Sequence, residues 1–366
     1  MKTKKNLVSL LSLALAVLLL AACGAPATTT PPPIANTSAP ADNSQLPVET
    51  AAPTKVGLIA LGFGTQSFND DVLDGLEMAE QELGVGIMSL EVVEVSDTAN
   101  ALRTLIEQGA NLLIVPSSDY RDGMETVAAE YPDVSFVYLA EVITDGPANI
   151  MSIAYREHEA SFLAGAMAGL LTQTNSVGAV LALNEAVQYR YQYGYMAGVK
   201  AVNPDCEVQV AFTNSYTDVG KGSELAGVMY TRGADYVGTY AGACNLGVFE
   251  AAAQAGEGKY CFGAANGQFD QMPDKIVASV VKPVNKAIFT IIENFTNGEF
   301  DTSAPFSLGL KEGGVSFLFT PLGLYDSIPA DAIATIEDLR AKVISGEIVV
   351  PGTEEAYNAF NYSYTK

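Results

Sequence analysis

The stretch Gly62-Phe63-Gly64-Thr65-Gln66-Ser67-Phe68-Asn69-Asp70 follows the apolar run Val56–Leu61 and sets a ring and an amide side by side. The glycines permit a tight turn, and Ser67, Asn69 or Asp70 can cap the helix that would follow. On its own Phe68 reads either as a buried aromatic at a helix start or as a ring that stacks on a flat heterocycle while Asn69 bonds its edge. Catalytic chemistry is thin elsewhere. The chain has no Gly-x-Ser-x-Gly elbow and no paired histidines. Gly62-x-Gly64 begins a dinucleotide fingerprint, but Ser67, followed by the bulky Phe68, stands where the third glycine must allow close packing. His158 is the single histidine and lies between Glu157 and Glu159, which reads as a surface helix start rather than a metal ligand. No cysteine pair has zinc spacing. These residues suit reversible binding of a small molecule, with no catalytic group, metal or cofactor.

The elements that must position these residues alternate between short apolar runs and amphipathic segments. In the first half the strands read Val56–Leu61, Leu90–Val95, Leu112–Val115, Ser135–Leu139 and Ile150–Ile153. A helix over Asn100–Gln108 puts Leu102, Leu105 and Ile106 on one face, with Gly109 able to end it. In the second half the strands read Val177–Leu181, Glu207–Phe212, Tyr236–Thr239, Tyr260–Gly263 and Val277–Val281. The halves echo each other: Lys55-Val56-Gly57 against Ser176-Val177-Gly178, Gln108-Gly109-Ala110-Asn111 against Arg232-Gly233-Ala234-Asp235, at offsets of 121 and 124. This pattern predicts an α/β fold of two Rossmann-like lobes with parallel sheets. Ligands of such sheets bind beyond the carboxyl ends of the strands, so a hinge between the lobes would place both sets of ends around one cleft. The apolar, small-residue segment Ala160–Leu171 reads as a tightly packed core helix, too short to span a membrane.

The amino terminus adds a location. Lys2, Lys4 and Lys5 precede an uncharged run from Leu7 to Leu20, a secretory leader layout. Leu20-Ala21-Ala22-Cys23 resembles the bacterial lipobox, which implies cleavage after residue 22, lipid on Cys23 and a cell-membrane anchor on the extracytoplasmic face. Residues 23–54 are rich in Ala, Thr, Pro and Ser and read as a flexible tether. The formal charge of −23, or −26 without the three leader lysines, argues against nucleic acid as a partner. Of the other cysteines, Cys206 and Cys261 open strands three spacings apart in a 2-1-3-4-5 sheet, roughly 14 Å, which is too far for a disulfide. Cys244 lies at the opposite, cleft-facing end, so no disulfide is expected.

Longer motifs carry a family resemblance. Ser67-Phe68-Asn69, the block from Arg156-Glu157 through Ser161-Phe162-Leu163-Ala164-Gly165-Ala166 to Ala168-Gly169, Gly194-Tyr195-Met196-Ala197-Gly198, Tyr216-Thr217-Asp218 and Asn245-Leu246-Gly247 all resemble the basic membrane protein family. These are purine-nucleoside-binding lipoproteins of ABC importers. The resemblance covers Lys55 to about Val350 and implies a type I periplasmic-binding fold with three crossovers. Lobe one would be 55–155 plus 283–308, with Val284–Asn297 as one of its helices. Lobe two would be 156–282 plus 309–350, and 351–366 a surface tail. It implies that Phe68 and Tyr216 stack on the ligand, Asn69 bonds the base, Gly242 offers backbone and Lys282 meets the sugar side. Read alone, Lys282 is equally a solvated strand-end lysine. Tyr189, Tyr191, Tyr193 and Tyr195 alternate like a strand, but the resemblance puts them at the start of a helix with one or two lining the cleft. Two departures stand out. Leu61 occupies the place of a family aspartate, and Ala265 that of the carboxylate that grips ribose, with Asn266 beside it as a neutral substitute. The implied protein works as a monomer that captures a nucleoside-like ligand for an ABC permease. The alternatives are a sensing receptor of the same fold, a non-nucleoside ligand or a vestigial cleft.

Overall fold

Apolar runs too short for helices and rich in β-branched residues become strands here, and each amphipathic segment between them folds back as a crossover helix. The computed structural model describes residues 53–64, 68–303 and 306–365. The leader, Cys23, the tether up to Ala52 and Ser67 lie outside them. The first half runs β1 (Lys55–Ala60), α1 (Phe68–Leu83), β2 (Gly86–Glu91), α2 (Thr98–Glu107), β3 (Leu112–Val115), α3 (Arg121–Glu130), β4 (Ser135–Tyr138) and β5 (Ile150–Tyr155). The second continues with α4 (Glu157–Leu171), β6 (Ser176–Leu181), α5 (Ala186–Val202), β7 (Glu207–Phe212), α6 (Val219–Thr231), β8 (Tyr236–Tyr240), α7 (Cys244–Gln254), β9 (Tyr260–Gly263) and β10 (Ile276–Val281). After these come α8 (Val284–Thr296), β11 (Phe306–Leu308), β12 (Ser316–Phe319), α9 (Ala330–Ser345) and α10 (Glu354–Ala359).

Two six-stranded sheets result, in the orders β2-β1-β3-β4-β5-β11 and β7-β6-β8-β9-β10-β12. Pairing is parallel except between β10 and β12. The chain passes between the sheets after β5, after β10 and after β11, with α8 returning to pack on α1. The internal echo has a structural counterpart. Asn111 donates its backbone N–H to Lys55 O at 2.9 Å, and its echo Asp235 donates to Ser176 O at 3.1 Å. Each then accepts from the strand beyond, from Ser135 N at 3.1 Å and Tyr260 N at 2.8 Å. The echoed segments therefore form the same backbone junction of three strands.

Two local expectations need correction, and a third gains detail. The second strand is Gly86–Glu91 rather than Leu90–Val95. Edge pairing with β1 starts at Lys55 opposite Gly86, directly after α1 ends, so the β-branched run continues past the strand and leaves Val93 68% exposed. His158, at the second position of α4, is half-buried rather than on the open surface, and its Nδ1 is buried without a partner. The tail does lie on the outside, but it is docked. Lys200 Nζ donates to Phe360 O at 2.8 Å, Tyr364 N donates to Ala201 O at 2.7 Å, and Tyr357 packs on Tyr193 at 5.9 Å.

The small-residue block becomes α4, whose residues from Ala160 to Gly169 are all buried. It meets α5 backbone to backbone. A Cβ on Gly165 would lie 1.9 Å from Tyr195 O, and one on Gly198 would lie 1.9 Å from Phe162 O. Only glycine permits that approach. It fixes how α5 is turned against α4 and therefore which of its tyrosines faces the cleft.

Candidate functional site

The loops that leave the carboxyl ends of both sheets meet around a cavity of about 170 Å³. From the first sheet come Leu61, Phe63, Phe68, Asn69, Ser117, Ser118 and Ala140; from the second come Glu185, Gln188, Tyr191, Tyr216, Tyr240, Gly242, Ala265 and Lys282. Five of the residues expected from sequence, Phe68, Asn69, Tyr216, Gly242 and Lys282, share this lining. Asn266 does not. It is exposed, and its Oδ1 accepts from Gln268 N at 3.3 Å. It lies near Asp71, a buried carboxylate in the first turn of α1 whose proton affinity it lowers. Leu61 and Ala265 stand in the wall as apolar surface.

Lys282 sits where β10 ends, and its N–H donates to Ala265 O at 3.1 Å. Its ammonium is boxed by aromatic faces, 4.2 Å from the centre of Phe68, 5.3 Å from Tyr155 and 5.7 Å from Tyr191. Such contacts are worth about 0.5–2 kcal/mol each, the more so when dry. Lys282 Nζ also lies 3.4 Å from Glu157, which is bound more tightly by Arg190 at 2.6 Å. Burial pushes the Lys282 ammonium below its ordinary value and Arg190 adds to this, while Glu157 opposes them. Phe68 is thus backed by a cation on one face and by Tyr155 edge-on at 6.4 Å.

At the other end Tyr216 is fixed by its hydroxyl, which donates to Glu185 and accepts from Gln188 Nε2 at 3.2 Å. Gly242 has φ of +62°, and a Cβ there would lie 2.9 Å from Tyr216 O. Glycine lets the turn after β8 close on Tyr216. Asn245 braces that turn, accepting from Thr239 Oγ1 at 2.6 Å and Ala241 N at 2.8 Å and donating to Gln268 Oε1 at 3.1 Å. Tyr191 stacks on Tyr240 with centroids 4.5 Å apart and planes within 13°. The lobes touch across the cleft: Ser118 Oγ donates to Glu185 Oε2 at 2.5 Å, and Arg190 Nη2 donates to Ala140 O at 3.3 Å.

Ser118, Glu185, Gln188, Tyr240 and the Glu157–Arg190 pair were not singled out from sequence. Ser118, Glu185 and Tyr240 each lie at or just past a strand's carboxyl end, so the rule that picked Gly62 could have found them. Tyr191 is the member of the tyrosine series that lines the cavity; Tyr195 is buried in the core. Cys206, Cys244 and Cys261 are free thiols. Among the described residues no cluster of His, Cys, Asp and Glu could hold a metal ion, and no helix is long and apolar enough to cross a membrane.

Two parallel-sheet lobes, three crossovers and a ring-lined cavity at their interface define a solute-binding protein with a type I periplasmic-binding fold. The chain belongs to the family of PnrA-like ABC transporter substrate-binding proteins, whose model matches residues 54–354. This is a family of substrate-binding proteins rather than of enzymes. The chain is 28% identical to basic membrane protein A1 of Borrelia garinii over 84% of its own length and 90% of that protein's. It is also 28% identical to the CD4+ T-cell-stimulating antigen of Listeria innocua, over 79% and 85%. In structure it resembles an ABC transporter solute-binding protein from Aeropyrum pernix K1, with 25% identity, a TM-score of 0.76 and coverage of 84% and 96%. A periplasmic binding protein/LacI transcriptional regulator from Alkaliphilus metalliredigens, complexed with D-xylulofuranose, shares the fold at 14% identity and a TM-score of 0.57, over 74% and 100%.

Proposed function

We propose that this protein is a monomeric, lipid-anchored receptor on the extracytoplasmic face of the cell membrane. It captures a nucleoside-like ligand between its lobes and hands it to an ABC permease. One observation carries the ligand class: the cavity is walled by Phe68, Tyr191, Tyr216 and Tyr240, a set of rings suited to a flat heterocycle. Stacking of a base on an aromatic ring is worth about 1–3 kcal/mol. Phe68 and Tyr216 serve as the stacking rings, Asn69 and the backbone at Gly242 as polar contacts, and Lys282 as the contact at the sugar side. Asn266, exposed and outside the lining, is not among the contacts. The lobes, 55–155 with 283–308 and 156–282 with 309–350, close about the three crossovers. Cys23 carries the anchor.

A second reading has its own support. Leu61 and Ala265 put apolar surface where the family's carboxylates stand, so the sugar-binding half of the site is weakened. A nucleobase or another polar ring compound then becomes the ligand. The test is thermal unfolding against nucleosides, nucleobases, sugars and amino acids, repeated with Phe68→Ala. A ligand at a hundred times its dissociation constant adds about 2.7 kcal/mol. Stabilisation by nucleosides that Phe68→Ala weakens more than twofold in affinity is the expected result. Stabilisation by nucleobases alone supports the second reading, and stabilisation by neither class refutes both.

A further inference from the structure

The cavity has two chemically different ends. At the Phe68 end, Glu157 is saturated, with its side chain 2% exposed and held by both Arg190 and Lys282. At the Tyr216 end, Glu185 enters from the loop after β6 and lines the cavity. Its two oxygens are held by hydroxyls rather than cations: Oε2 by Ser118 of the first lobe and Oε1 by Tyr216 of the second. An ionised carboxylate offers about four lone-pair positions, so each oxygen keeps acceptor capacity after these bonds. Asp119 adds a second negative charge nearby, and its carboxyl is raised by burial and then by Glu185. With Leu61 and Ala265 apolar, Glu185 is the lining carboxylate not already neutralised by an ion pair.

A ring stacked on Phe68 and Tyr216 would bring an edge to Glu185, whose Oε1 the Tyr216 hydroxyl already bonds. The group that matches a planar two-oxygen acceptor is a planar pair of parallel donors, as in a ring N–H beside an exocyclic amine. We propose that Glu185 is the specificity-determining residue of the cleft, and that it selects ring ligands presenting two adjacent N–H donors. The proposal rests on the nucleoside-like reading above and adds to it which edge of the ring is read and by which residue. Because Ser118 ties the same carboxylate across the cleft, reading the ligand and holding the lobes together fall to one side chain.

The test is calorimetric titration of the leaderless chain with guanosine, inosine and adenosine, then of Glu185→Gln and Tyr216→Phe. Guanosine carries both donors, inosine lacks the amine, and adenosine presents an acceptor where the ring N–H would be. Guanosine is expected to bind about tenfold or more tighter than either, the range for bonds to a charged acceptor. Glu185→Gln should bring the three within about threefold, whereas Tyr216→Phe, which keeps the ring, should preserve the ranking. Equal wild-type binding of guanosine and inosine overturns the proposal, as does a preference that survives Glu185→Gln. The wild-type ranking needs no variant, so it decides the matter even if Glu185→Gln fails to fold. Tight but unselective purine binding sinks this proposal alone; absence of any purine binding sinks the nucleoside-like reading with it.

Discussion

Asp71 and His158 should tilt the dependence of stability on pH in opposite directions, and substituting either should expose the other. Asp71 is 3% exposed, with Oδ2 unpartnered. Its carboxyl is raised from 3.8 to about 7, first by burial, then by Asp74 and Asp70, against smaller opposing effects of Asn266 and Lys282. The folded state therefore holds this proton more tightly than the unfolded chain does. The stability it contributes is fully present below pH 3.8 and is lost as pH rises through about 7. At 1.36 kcal/mol per tenfold change in proton affinity, that amounts to at most about 4 kcal/mol. His158 works the other way. Burial lowers it from 6.5 to about 4, with Arg190 and Arg156 helping and Glu159 and Glu157 opposing. Its stability is present above pH 6.5 and is lost as pH falls through about 4, at most about 3 kcal/mol. Between pH 4 and 6.5 the two contributions nearly cancel in the wild type. The assay is the melting temperature of wild type, Asp71→Asn, His158→Gln and the double variant from pH 4 to 8. Asp71→Asn should lose stability as pH falls from 6.5 towards 4, His158→Gln should gain it, and the double variant should follow the wild type there. If Asp71→Asn parallels the wild type throughout, Asp71 has an ordinary carboxyl and the argument from its burial is wrong.

Gly198→Ala should lower stability by about 1–3 kcal/mol, the cost of overpacking, because its Cβ would fall 1.9 Å from Phe162 O. Urea denaturation checks this, and Gly227→Ala, inside α6 with nothing within 4 Å of its Cβ, should instead raise stability by about 0.5–1 kcal/mol, the helix preference of Ala over Gly. Cys23→Ser should release the protein from washed membranes into the soluble fraction; retention of the full amount on the membrane would refute the lipid anchor.

Much of the architecture could be read from the sequence because its signals were local. Runs such as Leu112–Val115, Glu207–Phe212 and Tyr260–Gly263 match their strands end to end. Leu90–Val95 misled because β-branched composition marks a strand without fixing its register; the end of α1 and the pairing with β1 fixed it. The cavity was harder to foresee. Phe68, Tyr216 and Lys282 carried family motifs, but the seating of the Lys282 ammonium 4.2 Å from Phe68 depends on residues more than two hundred positions apart. Nothing local announces that proximity, nor the bond from Ser118 to Glu185 that joins the lobes.

The turn at Ala265 bears on whether the cleft still binds a ligand. The resemblance puts a ribose-gripping carboxylate at this position; Ala265 stands there with φ of +56°, a left-handed conformation that costs a residue with a Cβ about 1–2 kcal/mol. The turn is held in place by Lys282 N on Ala265 O and by Gln268 Oε1 accepting from Ala264 N at 3.1 Å. Those bonds keep position 265 facing the cavity although its side chain has no polar atom to offer. The same turn secures the start of the Lys282 crossover and, through Gln268 and Asn245, the loop bearing Gly242. A change of side chain at this position therefore alters what the wall offers a ligand without loosening the wall, which fits the proposal that Glu185 sets the choice of ligand.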